Sequence, residues 1–225
     1  MKNFYNKLVY KNSLLILPIF ILGLLNGFYR ETQYSEPLIF WSIELLSWVV
    51  TPLFILNVLY KYYGIRPADY GLRFRHHRYS LRDLYNWSML SLIILAMYYY
   101  STHWFVGLFV EGRPRGFDIA YVVRDGPLRL PVILYFAISS ALVEEIFYRG
   151  LLWRMFDRFS RHKWRVVWFI IVSSTFYAIV HWEDGSVEML SAAVYGCVAC
   201  ILYQRLNHLV PLIFSHIVIN IITLW

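Results

Sequence analysis

The chain has 225 residues, of which 59% are hydrophobic and 16% charged, whereas soluble domains average about 45–50% apolar and about 25% charged residues. This composition excludes an ordinary water-soluble domain. The formal net charge of +7 does not indicate nucleic-acid binding, because the Lys and Arg residues lie in short connections between apolar blocks and form no basic face.

Seven apolar blocks are long enough to cross the hydrocarbon core of a bilayer, which is about 30 Å thick. In chain order, these predicted spans cover residues 13–29, 38–60, 85–110, 130–153, 166–181, 187–203 and 209–225. Each span must be helical, because lipid offers the backbone no hydrogen-bond partners. The sequence therefore predicts an all-α, polytopic transmembrane helix bundle of about seven spans, or eight if residues 111–129 hide a re-entrant segment. We expect a single transmembrane domain over residues 1–225.

The basic residues predict the orientation of this bundle. Most of the 21 Lys and Arg residues fall in the N-terminal tail and in the connections before the third and fifth spans. Because short cytoplasmic loops are enriched in Lys and Arg, the N-terminus is predicted to be cytoplasmic. We expect an integral protein of the cell (inner) membrane, with the lipid bilayer around it and no nucleic acid as a partner.

The fourth span contains three charged residues, Glu144, Glu145 and Arg149. Each costs about 2.5 to 3.5 kcal/mol at the centre of an inserted helix, so their presence indicates a function. Glu145 and Arg149 stand four apart with the acid first, the favoured order for a helical ion pair. Glu144 lies about 100° around the helix and is left as a carboxylate that could act as general base toward water. The alternative is a structural acid bonded to a neighbouring helix.

His181 ends the fifth span. Glu145 and His181 are each 18 residues from Lys163 in the basic turn between the fourth and fifth spans. At 1.5 Å per residue, both lie about 27 Å along an antiparallel hairpin, so we expect them at the same level. A lone histidine at a helix end is usually an interfacial or packing residue, but the facing acid pair favours a catalytic role.

The seventh span carries His216 and Asn220, four residues apart and therefore on one helical stripe. Polar side chains within a span face protein rather than lipid. Their plainest role is hydrogen bonding between helices. Together, a histidine and an amide could also donate hydrogen bonds to an oxyanion that develops during peptide hydrolysis.

These residues form three ordered motifs, which are Glu144-Glu145-x-x-x-Arg149, Tyr177-x-x-x-His181 and His216-x-x-x-Asn220. In this combination they resemble the CPBP intramembrane proteases, also called the CAAX protease and bacteriocin-processing or Abi family. The resemblance covers a family-like catalytic core at residues 131–222. One departure is Tyr177, which stands where that family usually has Phe.

The resemblance implies a helical bundle with a water-accessible cavity. In that cavity Glu144 and His181 would activate water, while His216 and Asn220 would stabilise the oxyanion. The sequence has no H-E-x-x-H motif, and the helices that carry His181 and His216 have no third histidine to complete a familiar zinc set. We therefore expect a glutamate-type mechanism without a cofactor or metal, although the residues do not exclude zinc.

The leading hypothesis is an intramembrane endopeptidase that hydrolyses a peptide bond of a membrane-associated or lipid-modified protein substrate. One alternative is a catalytically silent bacteriocin-immunity or interaction protein, in which the same polar residues only hold the bundle together. Another is proton-coupled transport, since intramembrane acids and histidines also form proton relays. The lack of internal repeats in the sequence counts against a transporter.

Two further sets of acidic residues attract attention. Glu44 is a second acid within a span, and it could approach the cavity or meet a polar residue of another span. Glu183, Asp184 and Glu188 follow His181 closely. We interpret these three as a solvated acidic turn, with the binding of a substrate's basic residue as the alternative.

Overall fold

The computed structural model describes residues 16–29, 32–73, 79–110, 126–159 and 163–225. These residues form seven long helices and no β-strand. The helices are α1 (Leu17–Tyr29), α2 (Pro37–Tyr63), α3 (Leu81–Gly107), α4 (Arg129–Glu144, continued by Glu145–Leu151 and Leu152–Phe159), α5 (Arg165–Ile179), α6 (Ser186–Leu206) and α7 (Val210–Leu224).

Four helices, α2, α3, α4 and α6, are long and apolar enough to cross a membrane, and α5 and α7 are shorter apolar helices. The predicted all-α transmembrane bundle is therefore confirmed. Residues 13–15 of the first predicted span lie outside the described residues. The same holds for residues 111–125, which make up most of the stretch in which a re-entrant segment was considered.

The fifth helix is shorter than predicted. α5 ends at Ile179, and His181 lies in the following turn, where its backbone N–H bonds to the carbonyl oxygen of Ala178. Gly185 then adopts a φ of 91°, which favours glycine, and α6 begins at the next residue. The predicted span 166–181 is thus wrong at its C-terminal end, because the chain begins to reverse before His181.

Two helices contain a π-helical stretch, at Leu46–Val50 in α2 and at Glu145–Leu151 in α4. A π-helix has i→i+5 hydrogen bonds and often marks a functional site. All seven residues of the stretch in α4 are buried. The charged pair of α4 therefore stands on a locally widened helix in the interior of the bundle.

Glycine residues allow segments of the backbone to approach closely at two places. A Cβ atom at Gly196 in α6 would lie 3.1 Å from the Cα of Ser174 in α5. A Cβ at Gly150 in α4 would lie 2.5 Å from the carbonyl oxygen of Tyr70. Small residues serve the same purpose in other membrane bundles, where they let helices pack at backbone contact. α5 and α6 therefore pack at backbone contact, and the π-helical stretch of α4 packs closely against Tyr70.

The ends of the helices follow from local chemistry. Before α3, the Ser80 hydroxyl accepts a hydrogen bond from the Asp83 backbone N–H, while the Asp83 carboxylate accepts from the Ser80 N–H. This reciprocal capping box satisfies two backbone donors that the helix leaves unpaired. After α6, Asn207 adopts a left-handed conformation with a φ of 50°, which ends the helix before α7.

Candidate active site

A cavity of about 480 Å³ lies inside the bundle. It is found where α3, α5 and α7 end and α6 begins, beside the middle of α4. Four of the six predicted site residues line it: Glu144, His181, His216 and Asn220. The other two, Glu145 and Arg149, lie behind its wall and are completely buried.

Glu144 is the last α-helical residue of α4 and is only 5% exposed. Its Oε2 atom lies 3.6 Å from Nε2 of His216 and accepts no hydrogen bond from the described residues. The sequence left Glu144 without a partner, but the fold brings a histidine from α7 to it. This carboxylate is thus oriented toward the cavity with free capacity to accept a hydrogen bond.

Glu145 and Arg149 form the ion pair that their spacing predicts. Nη1 of Arg149 lies 3.4 Å from Oε1 of Glu145, and both side chains are 0% exposed. The guanidinium carbon also lies 4.2 Å from the ring centroid of Tyr177 and 5.7 Å from that of Tyr195. These cation–π contacts add to the ion pair in compensating the cost of a buried charge.

His216 lies between the two glutamates. Its Nδ1 atom is 2.9 Å from Oε1 of Glu145, and its Nε2 atom faces Glu144. An ionised carboxylate only accepts hydrogen bonds, so Nδ1 carries a proton and donates it to Glu145. Nε2 is also 3.4 Å from the hydroxyl of Tyr177. The ring is therefore held at both nitrogens, with Nε2 on the cavity side.

His181 is oriented by the backbone of its own helix end. Its Nδ1 atom lies 2.8 Å from the carbonyl oxygen of Tyr177. Because a carbonyl oxygen can only accept, Nδ1 must carry the hydrogen, and the lone pair of the neutral ring is on Nε2. His181 is half-buried at the cavity, so it offers a base there.

Asn220 is fixed by a short chain of hydrogen bonds. Its Nδ2 donates to the Ser140 hydroxyl at 2.9 Å, and that hydroxyl donates to the carbonyl oxygen of Phe136 at 2.7 Å. Since Ser140 uses its only hydrogen on Phe136, the amide nitrogen is the group that faces it. The second N–H of Asn220 remains for a ligand in the cavity.

Two tyrosines that were not among the six predicted site residues join these residues. The rings of Tyr177 and Tyr195 stack with centroids 5.6 Å apart, and that of Tyr195 lies 5.2 Å from the ring of His216. Both are buried beside Arg149. For Tyr177 the signal in the sequence was its place in the second motif. For Tyr195 it was polarity, because a phenol within an apolar span needs a polar partner.

The same cavity contains four more acidic residues, Glu44, Glu183, Asp184 and Glu188. Glu44 is buried at 4% exposure and approaches the cavity, as one of the two interpretations of the sequence has it. The side chain of Glu188 is only 16% exposed. The interpretation as a solvated turn is therefore wrong for Glu188, because α3 packs over it.

Across the described residues, no group of three or more His, Cys, Asp or Glu side chains is arranged to hold a metal ion. The metal-free mechanism remains a prediction.

Residues 126–222 match the family model described as Type II CAAX prenyl endopeptidase Rce1-like. The match begins before α4 and ends within α7, so it includes all six predicted site residues. Comparison with curated proteins and with solved structures gives no significant match. The predicted resemblance to the CPBP proteases is thus confirmed over residues 126–222, which are similar to the Rce1-like CAAX protease family.

Proposed function

We propose that this protein is a glutamate-type intramembrane endopeptidase acting on a membrane-associated or lipid-modified protein. The observation that carries the proposal is the convergence of Glu144, His181, His216 and Asn220, from two helices and one turn, on a single cavity inside the bundle. A base, a second base and two hydrogen-bond donors are the groups that peptide hydrolysis by water requires.

In the proposed mechanism, Glu144 accepts a proton from a water molecule while His181 orients that water through Nε2. The water oxygen attacks the carbonyl carbon of the scissile peptide bond, and the carbonyl oxygen becomes negatively charged. Asn220 donates its second N–H to this oxygen, and His216 donates from Nε2 when that nitrogen carries a hydrogen. Protonated Glu144 then gives its proton to the leaving amine.

Glu145 and Arg149 have a positioning role in this proposal. Glu145 fixes His216 through Nδ1, and Arg149 balances the charge of Glu145 from behind the cavity wall. Neither needs to touch the substrate. Because His216 is already held in place by these side chains, it loses little conformational entropy when the substrate binds.

The family description names CAAX prenyl endopeptidases, so a prenylated C-terminal peptide is the first substrate to test. Several lining residues, among them Trp48, Phe136 and Ile219, are apolar and suit a lipid-modified chain. We further propose that the protein resides in the cell (inner) membrane with its N-terminus in the cytoplasm.

The test is cleavage of a farnesylated fluorogenic CAAX peptide by purified protein in lipid nanodiscs. Glu144→Gln should lower kcat by about 10²- to 10⁴-fold, the usual contribution of a general base. The control is Asp157→Asn, which neutralises an exposed acid paired with Arg165 far from the cavity and should retain activity. Full activity of Glu144→Gln would contradict the proposal and favour a non-catalytic role for the cluster.

A second arm addresses the metal. Because Glu144 and His181 suffice to activate water in this mechanism, dialysis against a strong chelator should leave kcat within about twofold of the untreated enzyme, a difference of about 0.4 kcal/mol in the barrier. Loss of activity that zinc restores would contradict the metal-free mechanism while retaining the endopeptidase.

A further inference from the structure

The cavity has a second polar end, centred on Glu188 near the start of α6. The Tyr99 hydroxyl lies 2.9 Å from Oε1 and 3.0 Å from Oε2 of Glu188 and donates to this carboxylate. Nδ1 of His103, one helical turn along α3, lies 3.4 Å from Oε2. The position of the Glu188 carboxylate is therefore fixed by another helix rather than left to solvent.

The lining of the cavity is acidic. Five carboxylates contribute to it, those of Glu44, Glu144, Glu183, Asp184 and Glu188. Among the described residues that line it, there is no Lys or Arg. Clefts lined by one sign of charge with apolar walls focus the electrostatic potential and attract ligands of the opposite sign. A peptide that brings a cationic side chain would complement this surface.

Tyr195 provides an independent indication of a ligand. It lines the cavity, it is only 2% exposed, and its hydroxyl has no hydrogen-bond partner among the described residues. Buried polar groups without partners are rare in native proteins. Its ring lies between those of His216, at 5.2 Å, and Tyr99, at 6.4 Å. The ring of Tyr195 thus stands between His216 and Tyr99, the residue that holds Glu188, and a bound peptide would supply the partner of its hydroxyl.

The distance between the two ends sets the position of the cationic residue. Glu188 and Tyr195 are seven residues apart on α6, which corresponds to about 10 Å along the helix axis. An extended peptide covers about 3.3 Å per residue. A peptide whose scissile bond lies beside His216 and Tyr195 would therefore reach Glu188 after about three residues.

We propose that Glu188, flanked by Glu183 and Asp184, forms a subsite for a Lys or Arg side chain located about three residues from the scissile bond. The Tyr195 hydroxyl would bond to the peptide backbone between the two ends. This inference rests on the proposed endopeptidase function, and it assigns a substrate preference that the function alone does not imply.

The test compares farnesylated peptides that carry one Lys, placed at successive positions on either side of the scissile bond, with identical peptides carrying norleucine. The wild-type protein should prefer Lys by about tenfold in kcat/KM at the third position on one side, equivalent to one order of magnitude in affinity. Glu188→Gln should reduce this preference to about twofold or less, while cleavage of the norleucine peptides is retained. Asp157→Asn should keep the full preference.

Binding of the same fluorescent peptides to Glu144→Gln, measured by anisotropy, separates this inference from the proposed function. One outcome is that the wild-type protein cleaves no peptide while Glu144→Gln still binds Lys peptides more tightly than norleucine peptides. If adding Glu188→Gln to that variant abolishes the difference, the subsite is upheld although the endopeptidase activity is not. If Lys and norleucine peptides bind and react equally, or if the Lys preference survives Glu188→Gln, the subsite is overturned. Tyr195→Phe should weaken binding of both peptides equally, and a loss confined to Lys peptides would contradict its backbone role.

Discussion

His216 donates a hydrogen bond from Nδ1 to Glu145, and Tyr177 contacts it at Nε2. The Tyr177 ring lies under Arg149, its hydroxyl faces Nε2 of His216, and its carbonyl oxygen holds His181. The side chain of Tyr177 therefore has two roles: its ring stabilises the buried Arg149, and its hydroxyl contacts His216. The ring is common to Phe and Tyr, whereas only Tyr has the hydroxyl.

Substitution of Tyr177 should separate these functions. Tyr177→Phe keeps the ring beneath Arg149 and removes only the contact to His216, so we expect kcat to fall by about three- to tenfold, the effect of one modest hydrogen bond. Tyr177→Leu also removes the cation–π contact and should lower thermal stability by about 1–2 kcal/mol more. Peptide cleavage and thermal unfolding in detergent measure the two effects. Equal stability of both variants would contradict the role of the ring.

The buried ion pair gives a second prediction at this scale. Arg149→Met leaves Glu145 as a buried carboxylate without its cation, which should cost about 3–5 kcal/mol of stability. The double variant Arg149→Met, Glu145→Gln removes both charges and should recover part of that loss. Denaturant unfolding of the two variants tests this. If the double variant is as unstable as the single one, the loss of stability does not come from an unpaired charge on Glu145.

At the scale of elements, the π-helical stretch of α4 decides where the charged side chains face. It is buried over its whole length and is packed against the short helical turn Pro67–Tyr70. Gly150 permits that approach, because any side chain there would meet the carbonyl oxygen of Tyr70 at 2.5 Å. The position of Glu145 and Arg149 thus depends on a backbone contact made one residue further along.

Gly150→Ala should therefore destabilise the bundle, by about 1–3 kcal/mol as is usual for overpacking. The matched control is Gly107→Ala, at the last residue of α3, where a Cβ would meet nothing within 4 Å. Ala has the higher helix propensity, so the control should be neutral or stabilising by up to about 1 kcal/mol. Thermal unfolding of both variants measures the difference. Similar melting temperatures would show that the backbones can separate at no cost.

For the whole molecule, the helices form a bundle whose cavity lies at one end, where α3, α5 and α7 end and α6 begins. The distribution of Lys and Arg predicts that the connection between α4 and α5 lies on the cytoplasmic side. The end with the cavity would then face the opposite side, together with Glu188. The orientation of the chain consequently decides on which side a substrate enters.

Reporter fusions test this orientation. With a cytoplasmic N-terminus and seven spans, alkaline phosphatase fused after Trp225 should be active, and the same enzyme fused between α4 and α5, at Lys163, should be inactive. The expectation follows from the distribution of Lys and Arg over the connections. A reversed pattern of activities would place the cavity end in the cytoplasm.

Local features of the chain were sufficient to predict the bundle and part of the site. Apolar blocks and their helicity depend only on neighbouring residues and on the surrounding lipid. The same is true of pairs four residues apart, such as Glu145 with Arg149 and His216 with Asn220. His181 was placed near Glu145 by counting along a hairpin, and both side chains do reach the site, with His181 at the cavity and Glu145 behind its wall. Such counting missed the end of α5, because the chain begins to turn at Val180, before His181.

Contacts between distant segments were decided only by the packing of the helices. His216 and Glu145 are separated by 71 positions, and Tyr99 and Glu188 by 89. Which faces meet depends on the rotation of each helix about its axis, and the π-helical stretch of α4 changes that rotation locally. For this reason the sandwich of His216 between two glutamates, the paired tyrosines and the burial of Glu188 follow from the tertiary structure, whereas the apolar spans and the charged residues within them follow from the order of the amino acids.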